Sequence, residues 1–103
     1  MAAALQSDTP PSGLMELPEV LDLKFAAPLA AEFLALRGRP LQVDGAQVQR
    51  LGGQCLQVLL SAAQSWKKDG VSFELINLSG DFIEGLARLG VSAADFIQKD
   101  ESQ

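Results

Sequence analysis

The twenty residues from Leu41 to Leu60 constrain this chain more than any other stretch. The segment starts as a short apolar run, Leu41 and Val43, closed by Asp44, the pattern of a short strand. A polar loop follows, anchored by Val48 and Leu51. Gly52-Gly53 then leads into a helical pattern carrying Leu56, Leu59 and Leu60. A strand, a loop and a helix N-terminus are thus set within one short segment. Helix N-termini present unpaired amides and partial positive charge, so this corner is the first candidate for recognition.

The flanking sequence carries further strand and helix patterns. Leu14 to Leu17 reads as a first edge strand, stopped by Pro18, and Val20 to Leu23 as a second strand or extended entry. A helix is predicted from Pro28, where a missing N–H is harmless at the first helical position. Its apolar face is Leu29, Phe33, Leu34 and Leu36, with Glu32 and Arg37 outside it, and Gly38 and Pro40 stop it. With helices on either side, Leu41 to Asp44 is expected to be a central strand buried on both faces.

Gln54 to Asp69 is the strongest helix, with Leu56, Leu59, Leu60, Ala63 and Trp66 on one stripe. Asp69-Gly70 ends it, and Lys67 and Lys68 suit the negative end of its dipole. Val71 to Leu78 reads as a strand. Ser79 caps a further helix by accepting from the amide of Asp81 or Phe82. Leu78 and Ile83 form a staple across that cap. Phe82, Leu86 and Leu89 make its apolar face, and Gly90 ends it. Ser92 with Asp95 resembles a capping box opening a last turn through Phe96 and Ile97. The order β, α, β, α, β, α implies one α/β domain, residues 14–98, with a mixed, mainly parallel sheet of about four strands and helices packed against it. Residues 1–13 and 99–103 read as tails.

Composition removes several functions. Histidine is absent and Cys55 is the only cysteine. Histidine-based nucleophilic catalysis and Cys/His zinc sites are therefore excluded, no cofactor is expected, and catalysis is not. A lone cysteine forms no internal disulfide, which fits a reducing compartment. A net charge of −5, with scattered basic residues, opposes binding to nucleic acid. No segment approaches the ~18 apolar residues of a membrane span, and no secretory signal is seen, so a cytoplasmic protein is expected.

In its ordered motifs the chain resembles the STAS domain family, the sulfate-transporter and anti-sigma-factor-antagonist domains. Val43-Asp44 matches the family's strand end, Ala46-Gln47-Val48 the next element, and Leu51 the apolar anchor. Leu56, Leu59 and Leu60 match its helix. Gly70, Leu78-Ser79 and Leu89-Gly90 match downstream, so the likeness spans roughly Glu16 to Phe96. Members switched by a serine kinase carry Asp-Ser/Thr-Ser where this chain has Gly52, Gly53 and Gln54. The hydroxyl would fall at Gly53, which has none, and Cys55 replaces the glycine that follows. Leu17 to Lys24, together with the glycine-rich helix start, resembles small stand-alone STAS proteins of alphaproteobacteria associated with chemotaxis gene clusters.

The resemblance implies a non-catalytic protein-interaction module in bacterial signal transduction. The implied partner is a chemotaxis histidine kinase or an anti-sigma, kinase-fold protein. The alternatives it leaves are an anti-sigma factor antagonist in a partner-switching system, and a STAS subunit of a lipid-transport ATPase complex. The expected docking surface is Gln47, Gln49, Arg50, Gly52, Gly53, Gln54 and Gln57, with the exposed side of the helix up to Lys68. Each residue also has a plainer reading. The two glycines serve a tight turn, Arg50 is a solvated loop residue, and Cys55 is a small buried hydrophobe. Asp44 bonds nearby loop amides. Trp66 either packs at the core edge or joins an aromatic contact surface.

Overall fold

A computed structural model describes residues 13–96. The tail assignments at residues 1–12 and 99–103, and the contribution of Ile97, lie outside the described residues. Three parallel strands, β1 (Gly13–Glu16), β3 (Leu41–Asp44) and β5 (Phe73–Ile76), form a sheet in the order β1-β3-β5. A second parallel pair joins β2 (Val20–Leu21) to β4 (Arg50–Leu51). The helices are α1 (Leu23–Ala35), α2 (Gly53–Asp69) and α3 (Gly80–Arg88), followed by a 3₁₀ turn, Ala93–Phe96. The expected α/β architecture with parallel strands is present, its strands divided between two sheets.

The strand β3 is central, as expected, but only one of its faces is buried. Leu41 and Val43 point into the core, with Phe73 and Leu75 beside them in register. Gln42 is exposed and donates to Glu74 Oε1 at 3.1 Å, and Leu14, in the same register row, is also exposed. The flanking helices imply burial on both faces, but they cover only one side of this sheet, so Gln42 and its row stay in solvent.

The helix α1 starts five residues before the expected Pro28. Asp22 caps it, its Oδ1 accepting the Lys24 amide at 3.1 Å. Cap chemistry therefore ends the preceding strand at Leu21 and leaves Pro28 inside the helix. There the ring removes the amide that would bond the Lys24 carbonyl. Leu29 and Phe33 are buried, but Leu34 is 68% exposed. One residue advances the helix by about 100°, which carries Leu34 off the buried stripe.

Six residues of α2 are buried, among them Cys55, Leu59 and Trp66. Leu60 is only half-buried. Gly70, at φ 70°, closes the helix in the left-handed conformation that glycine adopts without strain. Trp66 anchors an aromatic cluster, its ring centroid 6.0 Å from Phe33 and 5.7 Å from Phe73. Its Nε1–H donates to the Arg39 carbonyl at 2.8 Å, which satisfies the indole. Trp66 is fully buried, so the alternative of an aromatic contact surface is corrected to core packing.

The strand β5 is shorter than predicted because Asn77 turns the chain at φ 55°. Ser79 caps α3 through Phe82, as expected. Phe82 and Leu86 are buried, but Leu89 is 42% exposed at the helix C-cap, and Ile83 is 49% exposed instead of sealing a staple. The Ser92 amide donates to Asp95 Oδ2 at 2.9 Å, half of the expected capping box.

Candidate protein-interaction surface

The loop between β3 and β4 is held by main-chain bonds at nearly every step. Asp44 Oδ1 accepts the Ala46 amide at 2.8 Å, and its Oδ2 accepts Asn77 Nδ2 at 3.1 Å. Asp44 is thus the loop-bonding residue anticipated from its place at a strand end. Gly45 donates to the Ile76 carbonyl at 3.0 Å and packs under Phe82. A Cβ at position 45 would collide with the Phe82 ring, so only glycine fits there. Val48 is buried and fixes the loop to the core. The amides of Gln49 and Arg50 both donate to the Glu19 carbonyl, at 2.7 and 3.1 Å.

Backbone anchoring leaves the side chains outside. Gln47, Gln49, Arg50, Gln54 and Gln57 are all exposed. They do not form one cluster. Gln47 borders a hollow with Leu17, Pro18 and Pro28 beside the start of α1, whereas Gln54 and Gln57 line a groove of about 460 Å³ between α1 and α2. The opposite wall of that groove includes Ala30 and Leu34. Sequence reasoning placed Leu34 in the core and missed this role. The available signal was the scarcity of charged residue types on α1, which has only Lys24 and Glu32.

The two glycines at the start of α2 differ physically. Gly52 is the N-cap, donates to the Leu21 carbonyl at 2.8 Å, and would bring a Cβ within 3.2 Å of that same oxygen. Gly53 is the first helical residue, exposed, with nothing within 4 Å of a built Cβ. Position 52 is crowded by the β2 backbone, and position 53 is open. No side chain caps this helix start and no acidic residue lies in its first turn.

Cys55 lies beneath the surface, fully buried, with Sγ donating to the Asp22 carbonyl at 3.2 Å. Burial, and secondarily the Asp22 carboxylate, push its pKa up. A protonated, buried thiol is a packing group and a poor nucleophile. Among the described residues no group of three His, Cys, Asp or Glu side chains is placed to hold a metal, and no helix is long and apolar enough to cross a membrane.

The fold places a loop anchored by main-chain bonds, an open helix start and a groove whose single charged lining residue is Arg37 on one side of the domain, an arrangement suited to contact with another macromolecule. A family model described as "Mlab, STAS domain" matches residues 5–98. The chain belongs to the STAS domain family. STAS domains act through protein–protein contacts, and a general interaction or regulatory role follows for this one. No curated protein and no solved structure matches the chain.

Proposed function

We propose that this STAS domain is a non-catalytic adaptor that binds a histidine kinase or kinase-like protein of a chemotaxis system. Its docking surface is the loop Gln47 to Gly53 with the exposed side of α2. The observation that carries this reading is the open, exposed helix start at Gly53, flanked by Gln54 and Gln57, which are also exposed. Protein interfaces are depleted of charge at their centre, and this row between Gly53 and Gln57 has none. Arg50 at its edge supplies one orienting charge. Position 53 has no hydroxyl, so regulation acts on the partner and not through a phosphate on this residue.

A pull-down of the chemotaxis kinase with the full chain tests the reading. Capture at micromolar concentration supports it, and Arg50→Glu weakens capture while the thermal melt stays unchanged. Incubation with kinase and ATP leaves the intact mass unchanged. A phosphate on Ser61, Ser65 or Ser79 would overturn the unmodified-adaptor mechanism. Capture of a lipid-transport ATPase in place of the kinase would move the domain to that setting.

A further inference from the structure

A groove of about 480 Å³ runs along the C-terminal half of α2, and none of its lining residues belongs to the groove between α1 and α2. Leu60 and Ala63 form its floor, and Phe96 of the 3₁₀ turn closes the far wall. Gln64, Lys67 and Lys68 stand on the rim and are exposed. On a helix of 3.6 residues per turn, Leu60, Gln64, Lys67 and Lys68 fall within a sector of about 100°. Both lysines therefore border the same apolar floor.

Lys67-Lys68 is the only adjacent pair of basic residues in the sequence. Among the described residues neither is ion-paired, the one ion pair being Arg37 with Asp69. Asp95 is the one carboxylate on the rim, and its Oδ2 accepts the Ser92 amide. From Phe96, itself a wall of the groove, the sequence continues Ile97-Gln98-Lys99-Asp100-Glu101. Asp100-Glu101 is the only adjacent pair of acidic residues in the sequence. Asp100 follows Phe96 by four residues, a reach of up to ~13 Å. The helix rises ~12 Å from Leu60 to Lys68, so the lysine pair lies within that reach. Asp100 and Glu101 also fall beyond residues 5–98, the stretch shared with the family model.

We infer that the segment Ile97 to Glu101 docks back into this groove, with Ile97 on the Leu60–Ala63 floor and Asp100-Glu101 against Lys67-Lys68. The occupant is joined to the wall of its own site, which gives it a high local concentration. Exposed ion pairs are individually weak and screened by salt, so the closure is reversible. Closure covers Gln64 and Lys68 on the exposed side of α2. It withholds that end of the helix from another protein, a consequence that rests on the proposed partner surface.

Carbodiimide coupling of the dilute full chain, read by peptide mass spectrometry, tests the docking without any partner. Each coupling joins a carboxylate to an amine with loss of one water, which the carbodiimide takes up as its urea. The expected product is monomeric, linked from Lys67 or Lys68 to Asp100 or Glu101. Its yield should fall several-fold between about 20 mM and about 0.5 M salt. Lys67→Glu and Lys68→Glu combined with Asp100→Lys and Glu101→Lys should restore a link between the same positions. Links that go to Lys24, links between copies, no link, or a yield indifferent to salt would each overturn the inference. For the masking, Asp100→Asn with Glu101→Gln is expected to raise capture of the chemotaxis kinase several-fold. Equal capture overturns the masking. A kinase that binds neither form refutes the partner reading, and the cross-link alone then decides the docking.

Discussion

Ser79 and Val48 are joined by a 2.6 Å hydrogen bond in which Ser79 Oγ donates to the Val48 carbonyl, while the same oxygen accepts the Phe82 amide at 3.0 Å. One hydroxyl therefore caps α3 and also ties that helix to the loop carrying Gln47, Gln49 and Arg50. Loss of an N-cap costs about 1 kcal/mol, and an unpaired, partly buried carbonyl adds a similar amount. Ser79→Ala is expected to destabilise the domain by about 1–2 kcal/mol. At roughly 4–8 °C per kcal/mol for a domain of this size, a thermal melt reads the change directly. Partner capture should fall too, because the loop loses its tether.

The glycines at the start of α2 should respond in opposite senses. Gly53→Ser meets nothing within 4 Å, so the melting temperature is expected to hold or rise by the few tenths of a kcal/mol gained when glycine is replaced in a helix. Gly52→Ala drives a Cβ to 3.2 Å from the Leu21 carbonyl oxygen and should lower stability, by about 1 kcal/mol. Paired melts of the two variants check both signs. An equal loss in each would show that position 53 is as constrained as position 52.

Trp66 is the one tryptophan and is fully buried between Phe33 and Phe73. Its fluorescence should be blue-shifted in the native state and move red in a single transition on adding urea. Trp66→Ala removes the largest core side chain and its bond to Arg39. A loss of about 3–5 kcal/mol is expected from chemical denaturation monitored by circular dichroism.

The raised pKa of Cys55 has a definite sign in stability. The unfolded thiol ionises near pH ~8.5, while the buried thiol holds its proton to higher pH. Protonation therefore favours the folded state below that value. As pH rises above it, the unfolded state loses its proton first and the stabilisation declines. Unfolding free energy measured at pH 7, 9 and 10 should fall, and Cys55→Ala should flatten the part of that fall due to the thiol. Native protein should also react with a thiol reagent far more slowly than unfolded protein.

By itself the sequence determined what depends on local spacing. The 3.6-residue period of Leu56, Leu59, Ala63 and Trp66, closed by Gly70, gave α2 to within one residue, and Ser79 marked the start of α3. The motif order from Val43-Asp44 to Leu89-Gly90 carried the family. The absence of histidine, fixed by composition alone, removed whole classes of chemistry. The tertiary structure decided what depends on which neighbour arrives. It set Asp22 as the cap of α1 and so brought Pro28 inside that helix, where chain spacing had placed a start. It turned Leu34 and Leu89 to solvent, because a residue counts as core only if another element covers its sector of the helix. It also separated Gly52 from Gly53. The two are indistinguishable in the chain, and only the Leu21 carbonyl, brought close by pairing of β2 with β4, crowds one and leaves the other open.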